Sequence, residues 1–445
     1  MIILAAVIIL IQFLILTHLQ FTAWPEMFSY PYLINKGFTI YKDIGFPYQP
    51  LFSLILAFVY QVFGYQLEVI KLIAWLMILV SDILIFLISI KILGKNLKAL
   101  LPLVFFCLLQ PLMDGATLWF DLATVPFILL GIYLFLTLIG LKRFFWLGFF
   151  LSLACLIKQQ VAVVFPLILI YLLVTKKFKD SPMLLIGSLI PVLAVTFYII
   201  SKGILTDYIF WTITVPLVWY PKFPGYTHFP SRLEIAETIL IFGPGIFWSI
   251  LNWKKIDFKI IFLIFLALFI TAFPRFEFFR FQEALALYVI LLAYLLQLKI
   301  GKCSLIIGAS LAIFLLAVRT DFTNLSARFY GPEEISFSQR IGNLAKPSDR
   351  IFLLNSDSLK YVLSNRLPPK PWIDNYIWYM EIPGIQDKVV AGFAKEKPKY
   401  IFRKTPQTGN WFDQGTYEPK KIIEYVKLNY RPVDKIGEVE VWQIN

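Results

Sequence analysis

Long apolar runs follow one another through the first 319 residues, and they constrain the fold more than any other feature. A helix needs about 20 mostly apolar residues to cross ~30 Å of hydrocarbon, and fewer where neighbouring helices shield it. Runs that approach this length occupy 1–19, 67–90, 99–113, 122–140, 144–157, 161–175, 182–200, 235–252, 258–273, 281–298 and 303–319. We therefore predict a mostly α, polytopic membrane helix bundle with about eleven spans.

Composition supports a chain that is surrounded by lipid. Hydrophobic residues make up 59% of the sequence and charged residues only 16%, and the mean hydropathy is +0.74. Water-soluble domains are less apolar and carry more charge, because their surfaces must remain hydrated. These values exclude a cytosolic enzyme, a disordered chain and a secreted disulfide scaffold.

The short turns between the runs predict the orientation. One further apolar run, 50–63, is short and carries Gln61. If it lies flat on the membrane and the N-terminus is cytoplasmic, a set of basic turns faces the cytoplasm, accompanied by the acids Asp180 and Asp257 alone. The basic residues are Lys91, Lys95, Lys98, Lys142, Arg143, Lys176, Lys177, Lys179, Lys254, Lys255, Lys259, Lys299 and Lys302. If 50–63 crossed the membrane, all of them would face outward, against the positive-inside rule.

We thus predict a cytoplasmic N-terminus, an exterior C-terminus and an interfacial helix over 50–63, within a first exterior loop at 20–66. The first run lacks a basic n-region and a small-residue cleavage site, so we expect a retained anchor and not a signal peptide. The net charge of +13 is then mainly an orientation signal on the cytoplasmic rim. No nucleic-acid partner is implied.

From about residue 320 the sequence becomes that of a water-soluble segment. Strands are predicted at 350–355, 399–404 and 438–444, and helices at 384–395 and 419–429. We therefore divide the chain into a membrane module, 1–319, and a small exterior α/β domain, 320–445.

Polar side chains gather in the loops predicted to face outward. Ionisable groups at this depth are costly unless they are solvated or used. Carboxylates suit proton abstraction from a hydroxyl, whereas Lys and Arg suit a phosphate or diphosphate. The candidates are Glu26, Asp43, Asp114, Asp121, Lys158, Gln159, Arg275, Arg280 and Glu283.

Each candidate also has a simpler interpretation. Asp43, Asp114 and Glu283 could be solvated loop residues, whereas the turn around Lys158 is too tight to expose a side chain freely. His18 and His228 are too isolated for a metal pair, and the spacing of Asp, Glu and His matches no metal motif. No cofactor is therefore required, although the carboxylate-rich loops would permit a divalent metal.

Several short motifs together resemble one family. The first loop contains Trp24, Glu26 and a "G…Y.D…..PL" stretch made of Gly37, Tyr41, Asp43, Pro50 and Leu51, and the following run ends in Phe63-Gly64. Asp121 opens a span, "LIKQ" surrounds Lys158, "FPRFE" surrounds Arg275, and "DRIFLLNSDSLKYVLSNRLPP" precedes "KPKYIF". This order resembles the GT-C glycosyltransferases, specifically the bacterial protein O-mannosyltransferase and aminoarabinose-transferase-like group.

The resemblance implies transfer of a hexosyl or pentosyl group from a polyprenyl-phosphate-sugar donor to a glycan, lipid or protein acceptor. The reaction would take place on the outer face of the plasma (inner) membrane. Family members commonly carry an Asp-Glu pair in the first loop. Here Pro25 precedes Glu26, so Glu26 is left as the expected base of an inverting reaction.

The resemblance also implies roles for the other candidates. Some members place a Lys before the "PPL" element, where this chain has Gln49 and Pro50. Lys158 and Arg275, together with Arg280, are then the expected phosphate-binding cations. Asp121 or Asp114 would orient the acceptor or the donor sugar, with Asp43 and Gln159 as further substrate-binding residues.

Two other classes and one other mechanism remain open. A lipid or solute transporter often shows inverted repeats and polar residues near the midplane, neither of which is evident here. A non-catalytic envelope-assembly protein could share the fold without the chemistry. A retaining reaction would need a second carboxylate placed as a nucleophile.

Overall fold

The computed structural model of the chain describes residues 1–223, 226–251, 256–273, 275–297, 302–406 and 417–445. Its α-helices in chain order are α1 (Ile2–Thr17), α2 (Glu26–Asn35), α3 (Pro50–Phe63), α4 (Leu67–Leu93), α5 (Leu101–Gln110), α6 (Phe120–Thr137), α7 (Lys142–Cys155), α8 (Val164–Val174), α9 (Ser181–Ser201), α10 (Leu205–Ile209), α11 (Arg232–Leu251), α12 (Ile256–Thr271), α13 (Gln282–Leu295), α14 (Lys302–Arg319), α15 (Pro332–Leu344), α16 (Leu359–Ser364), α17 (Ile377–Met380), α18 (Ile385–Glu396) and α19 (Lys420–Asn429).

Shorter elements connect these helices. The strands are β1 (Phe21–Thr22), β2 (Ala327–Arg328), β3 (Ile351–Leu354), β4 (Tyr400–Lys404), β5 (Tyr430–Ile436) and β6 (Val439–Ile444). Single 3₁₀ turns occupy Leu97–Leu100, Gln159–Val163, Phe178–Asp180, Tyr220–Lys222 and Phe278–Phe281, and π-helical segments occupy Pro111–Gly115 and Phe210–Trp219.

The chain forms two compact units. The first unit consists of Met1–Thr22, Ile70–Phe197 and His228–Ser326. The second consists of Ala23–Val69, Tyr198–Thr227 and Ala327–Asn445, so it gathers the first loop and the C-terminal segment. The division into 1–319 and 320–445 stays a prediction.

Apolar helices long enough to cross a membrane confirm the prediction of a helical membrane protein. Six such segments are found among the described residues: Leu67–Leu93, Leu97–Gly115, Phe120–Thr137, Phe178–Ser201, Arg232–Leu251 and Phe278–Leu295. The other predicted spans also contain helices, which have 11 to 18 residues. The number of spans and their orientation stay predictions. Lys254, Lys255 and Lys299, on which the orientation partly depends, lie outside the described residues.

Two glycines allow two helices of the first unit to touch through their backbones. A Cβ on Gly148 of α7 would collide with the carbonyl oxygen of Leu184 in α9. A Cβ on Gly187 of α9 would likewise collide with the carbonyl oxygen of Phe145 in α7. Small residues at helix crossings permit this close approach. Close packing matters in a membrane because the hydrophobic effect does not drive helices together there.

The C-terminal part of the second unit contains a four-stranded sheet in the order β3-β4-β6-β5. β3 pairs with β4 in parallel, from Ile351 opposite Tyr400 to Leu354 opposite Arg403. β6 is antiparallel to both β4 and β5. The predicted strands and helices of this segment are present with small shifts at their ends. Its position outside the membrane stays a prediction.

Candidate functional site

Glu26 begins α2 in the second unit, and its side chain is almost completely buried. Pro25 directly precedes it, and a carboxylate at a helix N-terminus is favoured by the backbone dipoles. Only 6% of Glu26 is exposed. Ser29, three residues later, lies on the same face of the helix and is fully buried. The sequence therefore places a carboxylate and a hydroxyl side by side in a dry environment.

Residues 358–376 bring their own polar groups to this helix face. The Tyr376 hydroxyl donates a hydrogen bond of 2.9 Å to Oε1 of Glu26. Ser358 donates to the hydroxyl of Ser29 at 2.9 Å, and the same Ser358 oxygen lies 3.4 Å from Oδ2 of Asp374. Glu26 and Asp374 thus belong to one cluster of carboxyl and hydroxyl groups.

Backbone pairing fixes the position of this segment. The amide of Trp372 donates to the carbonyl of Asp43 at 2.8 Å, and the amide of Gly45 donates to the carbonyl of Trp372 at 2.9 Å. Trp372 is itself buried. Because this exchange is one rung of strand-like pairing, it aligns residues 372–376 with the first loop.

Burial changes the acidity of two groups in the cluster. Burial raises the pKa of Asp374 well above its usual range, and the neighbouring Glu26 carboxyl raises it further. Burial and the Glu26 charge also raise the pKa of the Tyr376 hydroxyl, which therefore remains a hydrogen-bond donor. The cluster favours a proton on Asp374 while Glu26 accepts from Tyr376.

Asp374→Asn is expected to make stability less dependent on pH. The raised pKa means that the folded state binds a proton that the unfolded chain releases above its own Asp pKa of about 3.9. The stability contributed by this proton is fully present below the pKa of the unfolded chain. It is lost as the pH rises through the pKa of the folded state. Asparagine resembles the protonated acid and does not titrate. The free energy of unfolding of the variant should therefore increase relative to that of wild type as the pH rises. The increase is about 1.4 kcal/mol for each unit by which the folded-state pKa of Asp374 exceeds the unfolded-state pKa.

Melting temperatures measured between about pH 5 and pH 8 check this expectation. The matched control is Asp387→Asn, because Asp387 is exposed and pairs with Lys421 on the surface. If the melting temperature of wild type rises with pH, and that of Asp374→Asn rises by the same amount, Asp374 does not hold a proton in the folded state.

Asp43 has a well-defined set of partners in the second unit. Its Oδ2 accepts from the backbone amide of Thr39 and from Nζ of Lys370, both at 2.9 Å. The carboxylate therefore closes the turn after Gly37 and anchors the C-terminal segment. Its predicted role in substrate binding stays a prediction beside this structural role.

A second cluster in the first unit joins Asp121, Lys158 and Glu283. Nζ of Lys158 lies 2.5 Å from Oδ1 of Asp121 and 2.8 Å from Oε1 of Glu283. Thr124 donates to the same Glu283 oxygen at 3.0 Å. All three charged groups are buried, with 4% of Lys158 and 1% of each acid exposed. Asp121 and Lys158, both candidates from the sequence, therefore lie in one ionic cluster.

Helix ends position the members of this cluster. Asp121 is in the first turn of α6 and Glu283 in the first turn of α13, so both carboxylates lie at favourable helix N-termini. Lys158 lies in the tight turn between α7 and the 3₁₀ turn Gln159–Val163. Two carboxylates face one ammonium group, which has three N–H donors. The predicted phosphate-binding role of Lys158 stays a prediction, and its present partners are the two acids.

The remaining candidates also lie in the first unit. Asp114 is exposed and adopts a left-handed backbone conformation with φ of +51°, which Asp tolerates better than most residues. Gln159 and Arg275 are half-buried. The guanidinium of Arg280 lies 5.3 Å from the centre of the Phe279 ring. Its Nε is buried and has no hydrogen-bond partner in the described part of the chain.

No metal centre is formed by the described residues. Within 1–223, 226–251, 256–273, 275–297, 302–406 and 417–445, no three His, Cys, Asp or Glu side chains are arranged to hold an ion. Asp374 and Tyr376 were not identified from the sequence, and Glu283 was expected to be either a site residue or a solvated loop residue. Asp374 lies between Pro-Trp-Ile and Asn-Tyr-Ile-Trp, and this apolar context was the available signal of burial.

Comparisons with known proteins agree with the resemblance inferred from the motifs. Residues 47–200 match the model of the family Dolichyl-phosphate-mannose-protein mannosyltransferase. No curated protein sequence matches the chain. The predicted resemblance to GT-C glycosyltransferases is confirmed by the family match together with the solved structures described next.

Three solved structures share the fold. ArnT from Cupriavidus metallidurans bound to undecaprenyl phosphate is 11% identical, with a TM-score of 0.67, covering 99% of this chain and 97% of that chain. The apo state of the same protein is 11% identical with a TM-score of 0.63 and the same coverage. An Archaeoglobus fulgidus oligosaccharyltransferase in complex with Zn and sulfate is 13% identical, with a TM-score of 0.52, covering 89% of this chain and 68% of that one.

Proposed function

We propose that this chain, whose fold is that of GT-C glycosyltransferases, transfers one sugar from a polyprenyl-phosphate-linked donor to a glycan, lipid or protein acceptor. The transfer would occur on the outer face of the plasma membrane. The observation that carries the proposal is the fold shared over 99% of the chain with a protein bound to undecaprenyl phosphate. The buried Glu26 cluster supplies a chemical group suited to such a reaction.

Glu26 is proposed as the general base. An acceptor hydroxyl gives its proton to the Glu26 carboxylate while its oxygen attacks the anomeric carbon of the donor sugar. The bond from that carbon to the phosphate oxygen breaks, and the polyprenyl phosphate leaves with the electron pair. The reaction then inverts the anomeric centre. Tyr376 donates to Oε1 and so holds the carboxylate in place.

A cation must stabilise the departing phosphate, whose charge grows in the transition state. Lys158 already contacts two carboxylates, so its charge is largely compensated. Arg280 has a buried Nε without a hydrogen-bond partner in the described ranges, and a guanidinium can bind two phosphate oxygens at once. We therefore place Arg280 first for this role, with Arg275 from the same loop as the second candidate. Asp121 then positions Lys158 and does not itself need to touch the sugar.

A transfer assay with the full chain in phospholipid nanodiscs tests this function. Undecaprenyl phosphates that carry different hexoses and pentoses are offered together with cell-envelope extract as the acceptor source. We expect one donor to release undecaprenyl phosphate only when the acceptor is present. NMR of the product should show the anomeric configuration opposite to that of the donor.

Two outcomes would contradict the proposal. If no donor reacts but the intact lipid crosses the bilayer in proteoliposomes, the chain is a transporter. If the product keeps the anomeric configuration of the donor, a retaining reaction with a carboxylate nucleophile replaces the role given to Glu26.

A further inference from the structure

A cavity of about 550 Å³ lies within the C-terminal segment of the second unit. Binding sites for small molecules are commonly of this size, which is far more than a single ion needs. The residues that line it come from 329–360, from the end of β4 and from the turn between β5 and β6. None of them belongs to the candidate residues named in the sequence analysis.

The cavity lies at the carboxyl edge of the parallel strand pair. Asn355, Ser356 and Asp357 directly follow β3, and Lys404 is the last residue of β4. The neighbouring strand β6 is antiparallel to β4. Ligands of α/β sheets bind at this edge because the loops that leave adjacent parallel strands separate there. The topology therefore provides a binding position before any side chain is considered.

Two buried oxygen atoms in the lining have no hydrogen-bond partner in the described part of the chain. They are Oδ1 of Asn355 and Oδ1 of Asp357. Only 2% of Asn355 is exposed, and its amide nitrogen donates to the carbonyl of Lys404 at 3.2 Å. That bond fixes the side-chain amide so that its oxygen remains an acceptor. Because unsatisfied buried acceptors are costly, these atoms point to a ligand that donates hydrogen bonds.

The charges around the cavity largely compensate one another. Lys360 forms an ion pair with the other oxygen of Asp357. Lys404 lies 3.9 Å from Glu438, and Glu334 accepts from the backbone amide of Gly331 at 3.0 Å. Arg340 and Glu333 also line the cavity, so that four carboxylates face three cations. A phosphate or another anion would therefore meet two acceptor oxygens and no excess of positive charge. A neutral ligand with several hydroxyl groups fits the lining better.

Two aromatic rings add an apolar face to this polar lining. Phe329 and Phe337 both line the cavity and are half-buried. Nζ of Lys360 lies 5.8 Å from the centre of the Phe337 ring, so the ring lies beside the polar groups. Sugars have one face of C–H groups and a rim of hydroxyls. An aromatic ring next to hydrogen-bond acceptors matches both parts.

We propose that this cavity binds a sugar unit of a glycan, with Asn355 and Asp357 accepting from its hydroxyls and Phe337 packing against its C–H face. This goes beyond the proposed transfer reaction, because it assigns a separate binding site that operates without the donor lipid. A glycan held here would remain attached to the protein between encounters with a donor.

Saturation-transfer NMR on the full chain in phospholipid nanodiscs tests the site. Maltoside and glucoside detergents are avoided because their sugar headgroups would compete. The probes are mannotriose, chitotriose and maltotriose, each without donor lipid, and inorganic phosphate serves as the anionic comparison. We expect at least one trisaccharide to bind, with the strongest saturation on the C–H protons of one ring face. Phosphate should not displace it.

Three variants connect binding to the cavity. Asp357→Ala should raise the Kd by about tenfold or more, the scale of a lost hydrogen bond to a charged acceptor. Phe337→Ala should raise it roughly two- to tenfold. Asp387→Ala is the matched control, since Asp387 is exposed on α18 and does not line the cavity. Melting temperatures confirm that each variant is folded.

The outcomes separate clearly. Absence of binding for all three trisaccharides at millimolar concentration would overturn the proposal, as would displacement by phosphate. Equal Kd values for folded Asp357→Ala, folded Phe337→Ala and wild type would place the sugar elsewhere. Since no donor lipid is present, none of these results depends on whether the chain transfers sugars.

Discussion

Replacing Glu26 with glutamine is expected to lower the rate of sugar transfer by about 10²–10⁴-fold, the usual contribution of a general base. Glutamine keeps the shape of the side chain and can still accept from the Tyr376 hydroxyl through its amide oxygen. It cannot take a proton from the acceptor. The change should therefore affect kcat and leave binding of the donor nearly unchanged. Initial rates of undecaprenyl phosphate release at several donor concentrations measure both quantities.

Glu381→Gln is the matched control for this variant. Glu381 also accepts a hydrogen bond from a tyrosine, Tyr417, but it is exposed. Its replacement should leave transfer within twofold of wild type, roughly the effect of a neutral surface change. Transfer by folded Glu26→Gln at the wild-type rate would remove Glu26 from the chemistry.

Lys158→Ala is expected to cost about 3–5 kcal/mol of stability, the scale found when one partner of a buried ion pair is removed. The variant leaves the carboxylates of Asp121 and Glu283 buried together without a compensating charge. Lys158→Ala should consequently unfold at a much lower temperature than wild type, or fail to accumulate in the membrane. Thermal unfolding in nanodiscs and the amount of folded protein in membranes provide the measurement.

A second variant distinguishes charge compensation from phosphate binding. In Lys158→Ala/Glu283→Gln one of the two uncompensated carboxylates is gone, so part of the lost stability should return. Lys91→Ala is the control, because Lys91 is exposed at the end of α4 and should change stability by less than ~0.5 kcal/mol. If Lys158→Ala melts like wild type but no longer transfers sugar, the ionic cluster does not stabilise the fold. Lys158 would then be assigned to binding of the donor phosphate.

The helices were largely predictable because long apolar runs carry their own signal. The α3 helix spans Pro50–Phe63, the bounds expected from the sequence. The strand β5 was not predicted. It lies at the edge of the sheet, contains Pro432 and three charged residues, and exposes most of its residues. Such edge strands lack the alternation of apolar and polar residues by which strands are recognised.

The candidate sites were predictable only in part, because local patterns identify a polar residue but not its partner. Glu26 and Lys158 were identified from their positions. Tyr376 lies 350 residues from Glu26 in the chain, and Glu283 lies 125 residues from Lys158. The motifs contain no information on these pairings, which arise when helices and loops pack. Asp374 was missed for the same reason.

The close approach of α7 and α9 at Gly148 and Gly187 has a consequence for how the chain is made. The α7 helix is synthesised before α9, with α8 between them. Until α9 is made, Gly148 of α7 lacks the Leu184 backbone that packs against it in the complete fold. A ribosome-bound chain that ends before Ser181 should therefore lack the α7–α9 contact, while α6 already packs against α7 through Gly131 and Phe150. The α7–α9 contact can therefore form only after α7, α8 and α9 have all been synthesised.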